Sequence, residues 1–156
     1  MTRLFQLLCV ATLVSCTCSK FGNFAQKTVT PPDARVREFV ELSAGASGLE
    51  DKVKIQNQCT GHLRRTFERM NDDAFRLIYL DSKVNIVQFK VLESLTWGQN
   101  ARVHYEVSIE NNQGTDPTKE TNEREVDLKL VQGAWAIETI RTKGTDRIAF
   151  TRGMIF

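Results

Sequence analysis

Histidine, tryptophan and tyrosine are scarce in this 156-residue chain, at two copies each, and proline occurs three times. Three of the four cysteines lie at or before residue 18. A structural zinc takes about four nitrogen or sulfur ligands. Only Cys59 and His62 are available downstream to complete a cluster begun by Cys16 and Cys18, so no metal or other cofactor is expected. Neither sign of charge dominates: 21 Lys+Arg stand against 19 Asp+Glu, a net +2, with no acidic or basic half. Nucleic-acid binding therefore has no electrostatic footprint. No apolar run reaches the roughly 20 residues needed to span a bilayer as a helix. No serine sits in a nucleophile elbow, and Gly45-Ala46-Ser47-Gly48 lacks every other part of a phosphate loop.

What is present begins with the cysteines. Residues 7–20 read LLCVATLVSCTCSK, after a polar lead whose only charge is Arg3. A basic start, a compact apolar stretch and small residues at its end describe a secretory signal. Leu13-Val14-Ser15-Cys16 resembles the lipobox of bacterial lipoproteins. That resemblance implies a signal at 1–15 cut before Cys16, whose thiol then carries a diacylglycerol. Cys9 would be discarded with the signal. Thr17, in place of Asp, resembles the pattern that sorts lipoproteins to the outer membrane of Gram-negative bacteria, facing the periplasm. The membrane is thus an expected partner through the lipid. In such an oxidising space Cys18 and Cys59 allow one disulfide. The alternative is a free Cys18 and a Cys59 acting as a small buried hydrophobe.

Residues 16–32 lack periodicity and end in Pro31-Pro32, a lipidated tether, which leaves 33–156 as a single domain. Asp33 is placed to cap a helix carrying Val36, Phe39, Val40 and Ser43 on one face. LEDKVKIQNQ suits a second short helix. Thr60 precedes a stripe of Leu63, Phe67 and Met70, and Asn71 is a cap candidate at the start of NDDAFRLIYL, read as a short helix in preference to a strand. From residue 83 the period becomes two. Val87, Phe89, Val91, Leu95 and Trp97 share one face by strict alternation. So do Val103, Tyr105, Val107 and Ile109, then Val126, Leu128 and Leu130, then Trp135 and Ile137. Gln132-Gly133 marks a tight hairpin. DRIAFTRGMIF at the C-terminus adds a last strand or lies across the sheet.

The expected fold is α+β, with N-terminal helices packed on a curved four- to five-stranded antiparallel sheet. This order of elements over about residues 33–145, with Gly133 to Ile140 around Trp135, resembles the cystatin-like or NTF2-like roll. The resemblance implies a concave mouth, where relatives that isomerise or cyclise small molecules hold a carboxylate or histidine. Glu93 falls between Val91 and Leu95 by strict alternation and is the one candidate base. A β-bulge near Leu92 would turn it outward. His104 shares a polar face with Glu106, His62 neighbours Arg64 and Arg65, and Arg141, Lys143, Arg147 and Arg152 form a basic C-terminal run. No acid, base and nucleophile set assembles. The expectation is a lipid-anchored envelope protein, non-enzymatic, binding a partner protein or a small apolar ligand. The alternative is a membrane-tethered isomerase- or cyclase-type enzyme using Glu93.

Overall fold

The computed structural model describes residues 29–81, 84–111 and 118–143. The expected signal at 1–15, Cys16, Cys18, Arg147, Arg152 and the C-terminal segment lie outside these residues. Four short helices precede four strands: α1 (Pro32–Ala44), α2 (Leu49–Asn57), α3 (Gly61–Arg69), α4 (Asp72–Phe75), then β1 (Val84–Trp97), β2 (Asn100–Asn111), β3 (Thr118–Val131) and β4 (Ala134–Thr142). The strands form one antiparallel sheet in the order β1-β2-β3-β4. No helix among the described residues is long and apolar enough to cross a membrane.

The helices follow their apolar periods. Val36, Phe39, Val40 and Ser43 are all buried on α1. Its start differs from expectation: Pro32 takes the first helical position, where its missing N–H is no loss, and Asp33 sits in the first turn instead of capping it. Two contacts tie α1 to the sheet. Arg35 Nε donates to the Trp135 carbonyl at 2.9 Å, and the Arg37 guanidinium lies 4.7 Å from the centre of the Phe89 ring. In α3, Leu63 and Phe67 are buried. Asn71 caps α4, accepting from Ala74 N at 2.8 Å, and the helix continues as a π-helical stretch over Arg76–Leu80. There Tyr79 stacks on Phe75 at 4.8 Å between ring centres.

Asp51 organises the entry to α2. Its carboxylate accepts from the backbone N–H groups of Ser47 and Gly48, at 2.9 and 3.2 Å, and from Lys54 Nζ at 2.7 Å. These donors, the Lys54 bond foremost, pull its pKa down to about 2. A helix begins there because a third-position carboxylate satisfies N–H groups that the helix itself leaves open.

The core lies between the helices and one face of the sheet. Ala101, Val103, Tyr105, Val107 and Ile109 of β2, Val126 and Leu128 of β3, and Trp135, Ile137 and Ile140 of β4 are all buried. Gln132 and Gly133, both at positive φ, close the β3–β4 hairpin. Two positive φ values make the turn whose twist matches the flanking strands. β3 starts at Thr118, eight residues before the apolar alternation begins at Val126. Its polar N-terminal half is strand because β2 pairs with it from Thr118 to Lys129.

Strict alternation fails in β1. The register with β2 shifts between Ile86 and Gln88 and again between Val91 and Glu93, leaving Val87 and Leu92 as extra residues. Each shift reverses the face that follows. Ile86, Phe89 and Val91 lie opposite the buried Ile109, Val107 and Tyr105, whereas Leu95 and Trp97 lie opposite Arg102 and Asn100 on the outer face. The single apolar face expected for β1 is therefore split, and its last two members point away from the core.

Candidate functional site

The same bulge decides the fate of Glu93. It pairs with His104 across the β1–β2 ladder, on the outer face, and is exposed. A general base of this kind needs an apolar pocket that raises its pKa. Glu93 has none, so it is not placed to serve as the base of the isomerase- or cyclase-type alternative. Tyr105, next to His104 in the sequence, is fully buried in the core, stacked on Phe89 at 5.0 Å. Burial pushes its hydroxyl pKa well up.

Across β2, β3 and β4 the outer face carries a cluster of paired charges. Arg102 Nε donates to Asp127 at 2.7 Å and lies 3.6 Å from Glu125. Arg141 bonds both carboxylates, Glu125 at 2.9 Å and Asp127 at 2.5 Å, and the Thr139 hydroxyl donates to Asp127 at 3.2 Å. Asp127 holds the Arg102 guanidinium more firmly protonated. Further along, His104 Nε2 lies 2.9 Å from Glu123, whose other partner is Lys143 at 3.3 Å. His104, and then Lys143, hold the Glu123 carboxyl below its usual range. His104 is thus on the polar face, as the alternation predicts, but buried beneath its neighbours. Of the basic C-terminal run, Arg141 and Lys143 are spent on ion pairs. His62 stands in the first turn of α3, half-buried. Among the described residues no three His, Cys, Asp or Glu side chains are grouped to hold a metal ion.

Cys59 is a buried free thiol between α2 and α3, donating to the Ile55 carbonyl at 3.2 Å. Burial raises its pKa strongly. The chain around it performs a structural task. Ile137 N donates to the Gln58 carbonyl at 2.9 Å, and Thr60 N donates to the Ile137 carbonyl at 2.7 Å. The α2–α3 junction therefore covers the free edge of β4. Gly61 makes the approach possible: its φ is +53°, and a Cβ there would meet the Glu138 carboxylate at 2.9 Å.

The opposite edge has no such cover. Among the described residues, β1 pairs only with β2 and no backbone group outside the sheet bonds to it. Exposed apolar side chains on this strand are Val87, Leu92, Leu95 and Trp97, the last two each 49% exposed; Val29, Val53, Leu77 and Val131 are exposed elsewhere. Beside Trp97 lies a shallow depression of about 290 Å³, walled by Asn100, Arg102, Asp127 and Glu138. Two of its charged walls, Arg102 and Asp127, are paired with each other, and the strip beside it offers apolar side chains and backbone donors and acceptors. Sequence reasoning put Trp97 and Leu95 in the core. The signal that would have found them is Leu92, the surplus apolar residue that marks the bulge.

No family profile matches this sequence, and no curated protein matches it. Among solved structures, the fold is similar to the solution structure of a SEC-C motif containing protein from Rhodopseudomonas palustris, with a TM-score of 0.53 and 14% identity, covering 72% of this chain and 78% of that one. It is also similar to the crystal structure of the intermembrane space region of the chloroplast protein ARC6, with a TM-score of 0.56 and 11% identity, covering 70% and 92%. At such identities the likeness concerns the fold alone: helices on an open four-stranded antiparallel sheet.

Proposed function

We propose that this chain is a lipid-anchored cell-envelope protein whose domain is a binding module, docking another protein along the bare edge and outer end of β1. The domain is read as a roll of the cystatin-like or NTF2-like kind, on the order of its elements. The anchor rests on the lipobox-like residues 13–16: Cys16 carries the diacylglycerol, residues 16–32 are the tether, and the site is the outer membrane facing the periplasm. More than one acyl chain is needed for stable attachment, at about 0.8 kcal/mol per buried methylene, and a diacylglycerol meets that need.

One observation carries the docking role. Leu92, Leu95 and Trp97 stand exposed on an edge strand whose backbone, among the described residues, pairs only with β2, while Arg102, Glu125, Asp127 and Arg141 on the outer face bond one another. A bare, apolar sheet edge is a template for strand addition. A partner protein fits this strip better than a small apolar ligand, because the strip is open and flat and encloses no apolar cavity.

Two measurements test the reading. Labelled palmitate should enter the native chain and not its Cys16→Ala variant in a lipoprotein-processing host; label on the variant refutes the anchor. A photo-reactive side chain at position 97 should cross-link a protein in the envelope, and the same group at Glu50, exposed on α2, should not. Equal yields at both positions refute the docking edge.

A further inference from the structure

The arginines of the domain divide by what holds them. Arg35, Arg64, Arg102 and Arg141 each bond a carboxylate, Arg124 bonds the Glu123 carbonyl, and Arg37 lies over the Phe89 ring. Arg65, Arg69 and Arg76 have no such partner among the described residues, and all three are exposed. Two of them share a helix face. Leu63 and Phe67 are the buried side of α3. A residue two positions on lies about 200° around the helix, so Arg65 and Arg69 point directly away from the core. Four residues apart, their like charges are neighbours, which destabilises a helix. Glu68, the one carboxylate on α3, is spent on Arg64 at 3.0 Å. The end of the helix accounts for Arg69, since a cation suits the negative pole of the dipole. Nothing among the described residues accounts for Arg65.

The place where the chain enters the domain supplies the partner. The tether ends at Pro32, and the first turn of α1 is tied to β4 by Arg35 Nε and the Trp135 carbonyl at 2.9 Å. The N-cap of α3 is tied to the same strand two residues on, Thr60 N donating to the Ile137 carbonyl at 2.7 Å. Residues two apart on a strand are separated by about 7 Å. The tether and α3 therefore share the β4 side of the domain, and β1 forms the other edge of the sheet.

We infer that the outward face of α3 rests on anionic lipid headgroups of the anchoring membrane, with Arg65 and Arg69 directed at their phosphates. This deepens the lipid-anchored reading above and rests on it. Arginine suits the task because its planar fork of N–H donors matches a phosphate. The contact also orients the domain. With the β4 side on the bilayer, the docking edge of β1 is turned outward, about 14 Å away across the sheet. Each arginine close to an anionic surface strengthens association about fivefold, so the pair gives roughly thirtyfold. That is too little to hold a free protein and enough to orient a tethered one.

Vesicle sedimentation tests the contact on the full chain carrying Cys16→Ala, which keeps the measurement independent of lipidation. Vesicles of phosphatidylglycerol mixed equally with phosphatidylcholine are compared with phosphatidylcholine alone. Arg65→Gln combined with Arg69→Gln should lower partition onto the anionic vesicles by about tenfold or more, and leave partition onto the neutral ones unchanged. The control combines Lys90→Gln with Lys129→Gln, two exposed cations of the sheet that also lack an ion pair among the described residues. It removes the same net charge and should leave partition nearly unchanged. The arginine effect should vanish at about 1 M salt, where the screening length falls to about 3 Å. Equal losses in the two variants, or no loss in either, overturn the inference. If the vesicle result holds while palmitate labelling of Cys16 fails, the lipid contact stands and only the covalent anchor falls.

Discussion

Removing the Asp51 carboxylate is the sharpest probe of how the helical layer is held. In the folded chain this side chain is 8% exposed and accepts from two backbone N–H groups and one ammonium. Its pKa falls from 3.8 to about 2. At 1.36 kcal/mol per pKa unit this is about 2.5 kcal/mol of preference for the ionised, folded state. Lys54, its largest single contributor, has a side chain 60% exposed to solvent, and screening reduces that share. About 2 kcal/mol is the expected loss for Asp51→Ala at pH 7, at the upper end of the range for losing a helix cap. The sign with pH follows from the lowered pKa. The carboxylate's stabilisation is full above 3.8 and fades as pH falls toward 2, where the folded state also takes up the proton. Urea unfolding followed by circular dichroism, at steps from pH 7 to 2, should show the difference between native and variant shrinking below pH 4. A difference that stays constant across that window, or lies under 0.5 kcal/mol at pH 7, would refute the role assigned to this carboxylate.

Three further outcomes are expected. Phe39→Ala, which empties a fully buried position under the sheet, should cost about 3–5 kcal/mol in denaturant unfolding; a loss below 1.5 kcal/mol would mean α1 is not part of the core. Arg141→Ala leaves Glu125 and Asp127 sharing Arg102 alone, and a loss of about 1 kcal/mol is expected. A double-mutant cycle of Arg141 with Asp127 should then give a coupling near that value, and zero coupling would show the network to be ornamental. Iodoacetamide followed by peptide mapping should label Cys59 only once the chain is unfolded, since its thiol is buried and its pKa raised. Rapid labelling in the native state would contradict the placement of the α2–α3 junction.

The sequence by itself determined where apolar surface recurs. Val36, Phe39, Val40 and Ser43 of α1, Leu63 and Phe67 of α3, and the inward residues of β2 and β3 all lie where their period puts them. Such periods are legible because a residue three, four or two positions on returns to the same side of its element whatever surrounds it. The Gln132-Gly133 turn was readable for a similar reason: its geometry is set by a few local dihedral angles. Position in β1 was not. Alternation counts residues, whereas a face depends on which residue the neighbouring strand accepts, and the shift at Leu92 exists only in the β1–β2 pairing. That shift moved Glu93, Leu95 and Trp97 together to the outer face, removing a candidate base and creating a candidate docking edge. Tertiary structure likewise decided that, among the described residues, the chain around Cys59 guards β4 while β1 has no such cover. An edge is covered or open according to what packs beside it, and a linear order of residues carries no record of that.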